Sequence, residues 1–116
     1  MSPSRLVALA PGVPGAWEPV PTEKLVSGSP QTRTTLLYAN EAERLYVGEW
    51  QATPGKWRLS YTEWEYMRIL EGRCIVEGDD GSRLEAGPGA CFVIEPGFTG
   101  TWEVLSDVRK SWVIRE

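Results

Sequence analysis

From Thr34 onward, apolar and polar residues alternate in short runs: TTLLYA, RLYVGEWQA, KWRLSY, EYMRIL, RCIVEG, SRLEA, ACFVIE, TWEVLS and VRKSWVI. A period of two places one side of each run toward a core and the other toward water, which is the pattern of a half-buried strand. Gly, Pro and Asp divide the runs. Gly78-Asp79-Asp80-Gly81-Ser82 predicts a tight hairpin, because Asp and Gly accept the positive φ that such turns need. Thr53-Pro54-Gly55 and Glu95-Pro96-Gly97 predict two further corners. The helical candidate is a single short stretch at Asn40 to Arg44, with Asn40 as its cap. Short strands, frequent turns and almost no helix predict an all-β sandwich, jelly roll or barrel.

The beginning of the chain reads differently. Six of the nine prolines fall in the first 30 residues. Proline gives no N–H to a helix or a sheet ladder, so residues 1–33 are expected to form an extended arm and residues 34–116 the barrel domain. Trp17, Val20, Leu25 and Val26 are the residues that would pin the arm to a neighbouring surface, its own barrel or a second subunit's.

With 116 residues the chain forms one domain around one modest core. Its 41% hydrophobic and 24% charged content suits a soluble globular protein. A net charge of −4 without a basic stripe argues against nucleic acid and anionic membrane as partners. Six tryptophans are many for this length, and such rings suit barrel interiors and ligand pockets. Cys74 and Cys91 lie in strand-like runs and are expected to be small buried thiols, as in a reducing compartment. The apolar run Leu6 to Ala10 is shorter than a signal-peptide core and ends at Pro11. A cytoplasmic location is expected.

The candidate chemistry centres on YTEWEYMRILEG, residues 61–72. Unless a bulge intervenes, alternation puts Leu59, Tyr61, Glu63, Glu65, Met67 and Ile69 on one side. There is no histidine in the chain, so Ser/His or Cys/His nucleophilic catalysis has no base. AGPGA resembles a phosphate loop only in composition and is a β-corner.

TPGKWRLSYTEWEYMRILEG followed by EGDDGSRLEAGPGACFVIEPGFTGTWEVLSDVRKSWVI resembles the cupin superfamily over roughly residues 46–114. The resemblance is to its small single-domain branch, the DUF861 type that includes ureidoglycine aminohydrolase-like cupins. It implies a double-stranded β-helix, the jelly-roll barrel of RmlC-like cupins. A homodimer is expected. In the family's first motif Gly55, Glu65 and Gly72 match. The histidine positions fall on Leu59 and Tyr61, or on Arg58 and Ser60. In the second motif Gly89 and Gly97 match, Glu95 replaces proline and Gly100 replaces histidine. One of four metal ligands survives. Glu63 beside Glu65 offers oxygen ligands alone, so no metal and no cofactor is expected.

The resemblance turns Glu65 inward, as a hydrogen-bond acceptor or general base at a pocket mouth, or as a carboxylate held by Arg or Lys from a facing strand. Lys110 shares a face with Trp112 and would neutralise a carboxylate on a ligand or on Glu65; otherwise Arg109 and Lys110 are a solvated pair. Tyr61 would orient a ligand by hydrogen bonding or serve as a core aromatic. Trp57 and Trp102, with Met67, would form a stacking wall or plain packing. Trp50, Trp64 and Trp112 are assigned to packing or to a dimer surface, and Glu63 to a solvated turn. The expected function is binding of a small organic metabolite in the barrel without a histidine-held metal. The alternatives are a metal-free isomerase, lyase or hydrolase using Glu65 as base and Lys110 or Tyr61 as acid, and an accessory or interaction subunit.

Overall fold

A computed structural model describes residues 5–116; the first four residues of the expected arm lie outside the described residues. Among the described residues nine strands form: β1 (Glu18–Pro19), β2 (Leu25–Gly28), β3 (Gln31–Asn40), β4 (Leu45–Ala52), β5 (Gly55–Ser60), β6 (Trp64–Gly78), β7 (Arg83–Ala86), β8 (Cys91–Ile94) and β9 (Thr99–Arg115). All pair antiparallel in one curled sheet, in the order β1-β3-β4-β9-β5-β2, with β6 joining β7, β8 and β9. Between β3 and β4 a 3-10 turn at Glu41–Glu43 takes the place of the short helical candidate. Asn40 caps it by accepting from the Glu43 N–H at 3.3 Å, and Arg44 leaves it at φ 52°.

Two expected strand breaks are absent. EYMRIL and RCIVEG belong to one 15-residue strand, and TWEVLS and VRKSWVI to one 17-residue strand. The register shifts between Ile69 and Cys74 instead. Between the Ile69–Lys110 pair and the Cys74–Val104 pair, β6 advances five positions and β9 six. An odd step on β6 reverses its inward face: Glu65, Met67 and Ile69 are buried before it, Cys74 and Val76 after it. Gly72 makes the shift possible at φ +82°, where a Cβ would stand 2.1 Å from the Asp107 carbonyl oxygen. The two long, bulged strands curl the sheet into a barrel and carry the largest share of its core.

Inside are Trp57, Met67, Ile69, Cys74, Val76, Trp102, Val104, Val108 and Trp112. The expected hairpin joins β6 to β7, with Gly81 at φ +90° and the Ser82 N–H donating to Asp80 Oδ1 at 3.0 Å. Cys91 corrects the expectation of two buried thiols. On β8 Phe92 and Ile94 take the inward positions, which leaves Cys91 and Val93 exposed. Cys74 is buried, and both thiols are free.

The proline-rich segment lies against the chain's own barrel. β1 pairs with β3, and β2 pairs with β5 through Leu25–Trp57 and Gly28–Gly55. The Val20 N–H donates to Pro30 and the Arg58 N–H to Lys24. Val20 joins the core, whereas Trp17 stays on the surface with the Arg33 guanidinium 4.6 Å above its ring. Among the described residues no helix is long and apolar enough to cross a membrane.

Candidate functional site

A cavity of about 500 Å³ opens into one end of the barrel. Its floor holds Glu65, Lys110 and Trp102, its walls Trp50, Trp57, Leu59, Tyr61 and Trp112. The proline-rich segment supplies one side of the mouth through Val20, Pro21 and Lys24.

Lys110 is placed by β9, between Trp50 on β4 and Ile69 on β6. Its side chain runs along β6 past Met67, whose Sδ is 3.5 Å from Nζ, and donates to Glu65 Oε2 at 2.8 Å. Both side chains are only 6% exposed. The ammonium also lies 4.6 Å from the Trp50 ring and 4.6 Å from the Trp102 ring. A carboxylate, a thioether and two aromatic faces therefore surround one cation, each favouring positive charge. The solvated-pair reading of Arg109 and Lys110 holds for Arg109 alone, which reaches Glu71 at 3.1 Å and Glu49 at 3.4 Å on the outer face.

The aromatic wall is continuous. Trp50 meets Trp102 edge-on at 5.5 Å and Trp57 at 6.1 Å, and Trp57 pairs across the ladder with Trp102. Trp102 is 1% exposed, yet its indole N–H finds no hydrogen-bond acceptor among the described residues. A buried donor left unpaired costs about 1–3 kcal/mol. Burial pushes the Tyr61 hydroxyl well above its ordinary pKa, and the Glu65 and Glu63 carboxylates push it further. The Trp102 indole acts in the opposite direction on that hydroxyl, though no bond of normal length and angle joins the two. Tyr61 thus faces the cavity as a neutral phenol.

The residues proposed from sequence divide clearly. Glu65, Lys110, Tyr61, Trp57 and Trp102 all line the cavity. Met67 is fully buried beneath it and touches Lys110. The sequence assigns Trp50 to packing or an interface, whereas in the structure it flanks the ammonium. Its signal was faint: it shares an inward face with Gly48 and Ala52, two residues small enough to leave space around it. Trp112 also lines the cavity, whereas Trp64 is 37% exposed. Glu63 sits in the bend before β6, half-buried, in a neighbouring pocket that shares Thr34, Trp112 and Ile114 with the cavity.

The donor set does not fit the transition metal that the barrel type implies. Among the described residues no three His, Cys, Asp or Glu side chains converge. The carboxylate of Glu65 is engaged by a tethered ammonium. Leu59 and Tyr61 face the cavity, and Gly100 has no room for a side chain, because a Cβ there would stand 1.9 Å from the Glu77 carbonyl oxygen.

Residues 39–112 match the EutQ-like cupin domain. The chain belongs to the EutQ-like cupin domain family. Solved structures share its fold. A DUF861-family protein of unknown function from Pseudomonas syringae is 27% identical at a TM-score of 0.78, over 91% of this chain and 45% of its own. The EutQ protein of Clostridium difficile is 20% identical at 0.66, over 74% of this chain and 63% of its own. A putative ethanolamine utilization protein Q from Salmonella typhimurium is 15% identical at 0.65, over 91% of this chain and 98% of its own. The chain thus spans less than two thirds of the first two proteins. No curated protein matches the chain. Within this jelly-roll cupin family, the chain is a cupin-type domain whose specific role the relatives do not supply.

Proposed function

We propose that this cupin domain binds a small organic molecule in its barrel cavity, with the Glu65–Lys110 pair as the polar floor. The observation that carries the reading is a buried ion pair opening onto a tryptophan-walled cavity of about 500 Å³. That volume lies within the ~300–1,000 Å³ typical of ligand sites. A floor of well-packed apolar side chains would avoid the desolvation of two charges, which the pair must offset by its own attraction. What the pair adds is a fixed donor and acceptor facing a pocket walled by aromatic rings.

A second reading rests on Tyr61. A neutral phenol lining the cavity with a carboxylate and an ammonium places a hydrogen-bond donor next to a base, an arrangement that a proton-transferring isomerase or lyase can use. In that reading Glu65 takes the proton and Lys110 returns one, while Tyr61, which holds its own proton tightly, donates a hydrogen bond to the substrate.

A thermal-shift screen of metabolites tests the first reading. A ligand at 100 times its Kd stabilises the native state by about 2.7 kcal/mol. Hits should lose their effect in Lys110→Met. A screen in which hits act equally on the wild type and on Lys110→Met would remove the pair from the site. Glu65→Gln then separates the two readings. It weakens binding if Glu65 only accepts a hydrogen bond, and abolishes turnover of any converted hit if Glu65 is the base.

A further inference from the structure

We propose that a second copy of this chain covers the outer face of β3, β4, β9, β6 and β8, across a twofold axis that runs along β9. On this face the ladder lines up Tyr38, Val47, Val113, Tyr66 and Val93, one from each strand. Gly48, Trp112, Met67 and Ile94 beside them in sequence are buried, so the row points outward. Leu45 and Trp64 stand in the next outward row, on either side of Arg115. The outward side of an antiparallel sheet is ordinarily polar. The other outer face of this barrel follows that rule: Lys56, Glu103 and Glu85 share one row, and Arg58, Glu77 and Arg83 the next. The face across β9 does not. Its apolar row crosses five strands, about 19 Å at the usual strand spacing. Val93 is 45% and Trp64 37% exposed. A continuous exposed apolar patch marks an interaction surface. The proline-rich arm comes up to this face at Thr35 and Leu37, beside the row.

Charge selects the occupant and the axis. On the other side of the apolar row lie Glu49 on β4, Ser111 on β9 and Arg68 on β6. Arg68 has no carboxylate partner among the described residues. Glu49 meets Arg109 at 3.4 Å, but Arg109 has a closer partner in Glu71 at 3.1 Å. A twofold axis along β9, in the plane of the face, exchanges the β4 and β6 sides. It sets Arg68 against Glu49 of the second copy, twice over. The same operation sets Tyr66 against Val47 and Trp64 against Leu45. Arg109 and Arg115 meet their own copies near the axis, each already held within its chain, by Glu71 and by Glu43. An axis at right angles to the strands would set Glu49 against Leu45 and leave the carboxylate unpaired. Strands of the two copies then run in one direction, the aligned stacking that two twisted sheets adopt. Cys91, on the free edge of β8, lies at the rim of the contact.

Sedimentation equilibrium of the full chain at micromolar concentration should give twice the chain mass, and Tyr66→Arg should give the monomer. Arg68→Glu and Glu49→Lys should each weaken the dimer by about tenfold or more, since each sets like charges against one another on both sides of the axis. An equimolar mixture of these two variants should recover the dimer as the mixed species, because in it every carboxylate again faces a cation. Native mass spectrometry separates the mixed dimer from either homodimer. The mixing result stands even if Tyr66→Arg does not fold. A wild-type chain that is monomeric, alone or with another protein on this face, overturns the proposal. A dimer that survives in Tyr66→Arg overturns the face, and a mixture with no excess of the mixed species over chance overturns the axis.

Discussion

Lys110 meets Glu65 although the two are not paired across the sheet. In the ladder between β6 and β9, Lys110 stands opposite Ile69 and Glu65 opposite Ile114. The lysine side chain lies along the inner face and closes that offset, to end 2.8 Å from the carboxylate. Removing one partner leaves the other charged and buried. Lys110→Met is therefore expected to cost about 3–5 kcal/mol. The double variant Glu65→Leu/Lys110→Met should recover most of that loss, because no charge remains to be desolvated. Urea unfolding of the two single variants and the double variant measures the coupling. A Lys110→Met loss under about 0.5 kcal/mol would mean that Glu65 is not a buried charge.

Two glycines with similar backbones should respond differently to alanine. Gly72 and Gly81 both have positive φ, at +82° and +90°. Around Gly81 nothing lies within 4 Å of a built Cβ, so Gly81→Ala should cost only the conformational term of about 1–2 kcal/mol. At Gly72 the Cβ meets the backbone of Asp107, so Gly72→Ala adds a clash and should cost more than about 3 kcal/mol. Equal losses in thermal unfolding would show that the β6 bulge relaxes to admit a side chain.

Alkaline stability should fall early. Burial raises the Cys74 thiol from 9.0 to about 11, against smaller lowering effects of Lys110 and Arg73, and Tyr61 is raised from 10.0. Both groups hold their protons more tightly when folded. Their contribution is complete below about pH 9 and is lost as pH rises through the folded values. Unfolding midpoints measured from pH 8 to 11 should decline, and Cys74→Ala should decline less steeply from pH 9. Parallel slopes for the two proteins would remove Cys74 as a cause.

The two thiols should also differ in reactivity. Cys91 is exposed, whereas Cys74 is 1% exposed and its thiolate is disfavoured by burial. Native protein at pH 8 should take up one equivalent of iodoacetamide, at Cys91, and a second only on unfolding. Mass spectrometry showing equal labelling of both would mean that β6 opens locally around Cys74.

Much of the fold could be read from local pattern. Alternation located the strand runs, the Asp-Gly and Pro-Gly pairs located three corners, and the order of these parts pointed to the cupin barrel. Glu65, Lys110, Tyr61, Trp57 and Trp102, the candidates read from the family resemblance and from residue type, all line the cavity, but the sequence left each of them open between a site role and packing or an ion pair. Where local cues misled, the reason was physical. Gly72 and Ser106-Asp107 look like strand ends, but a bulge carries the chain through them. Trp50 carries no local mark that separates a ring facing a cation from one that packs.

The sequence by itself determined an all-β chain, the approximate position of most strand runs and the absence of any imidazole, since those depend on residue type and on spacing along the chain. Tertiary structure alone decided that β6 reverses its inward face at the bulge, that Cys91 turns outward and that the proline-rich segment borders the cavity mouth. It also decided that Lys110 ends beside Glu65, against the rings of Trp50 and Trp102. Each of these depends on the register and curvature between strands far apart in the chain, which a pattern of period two does not encode.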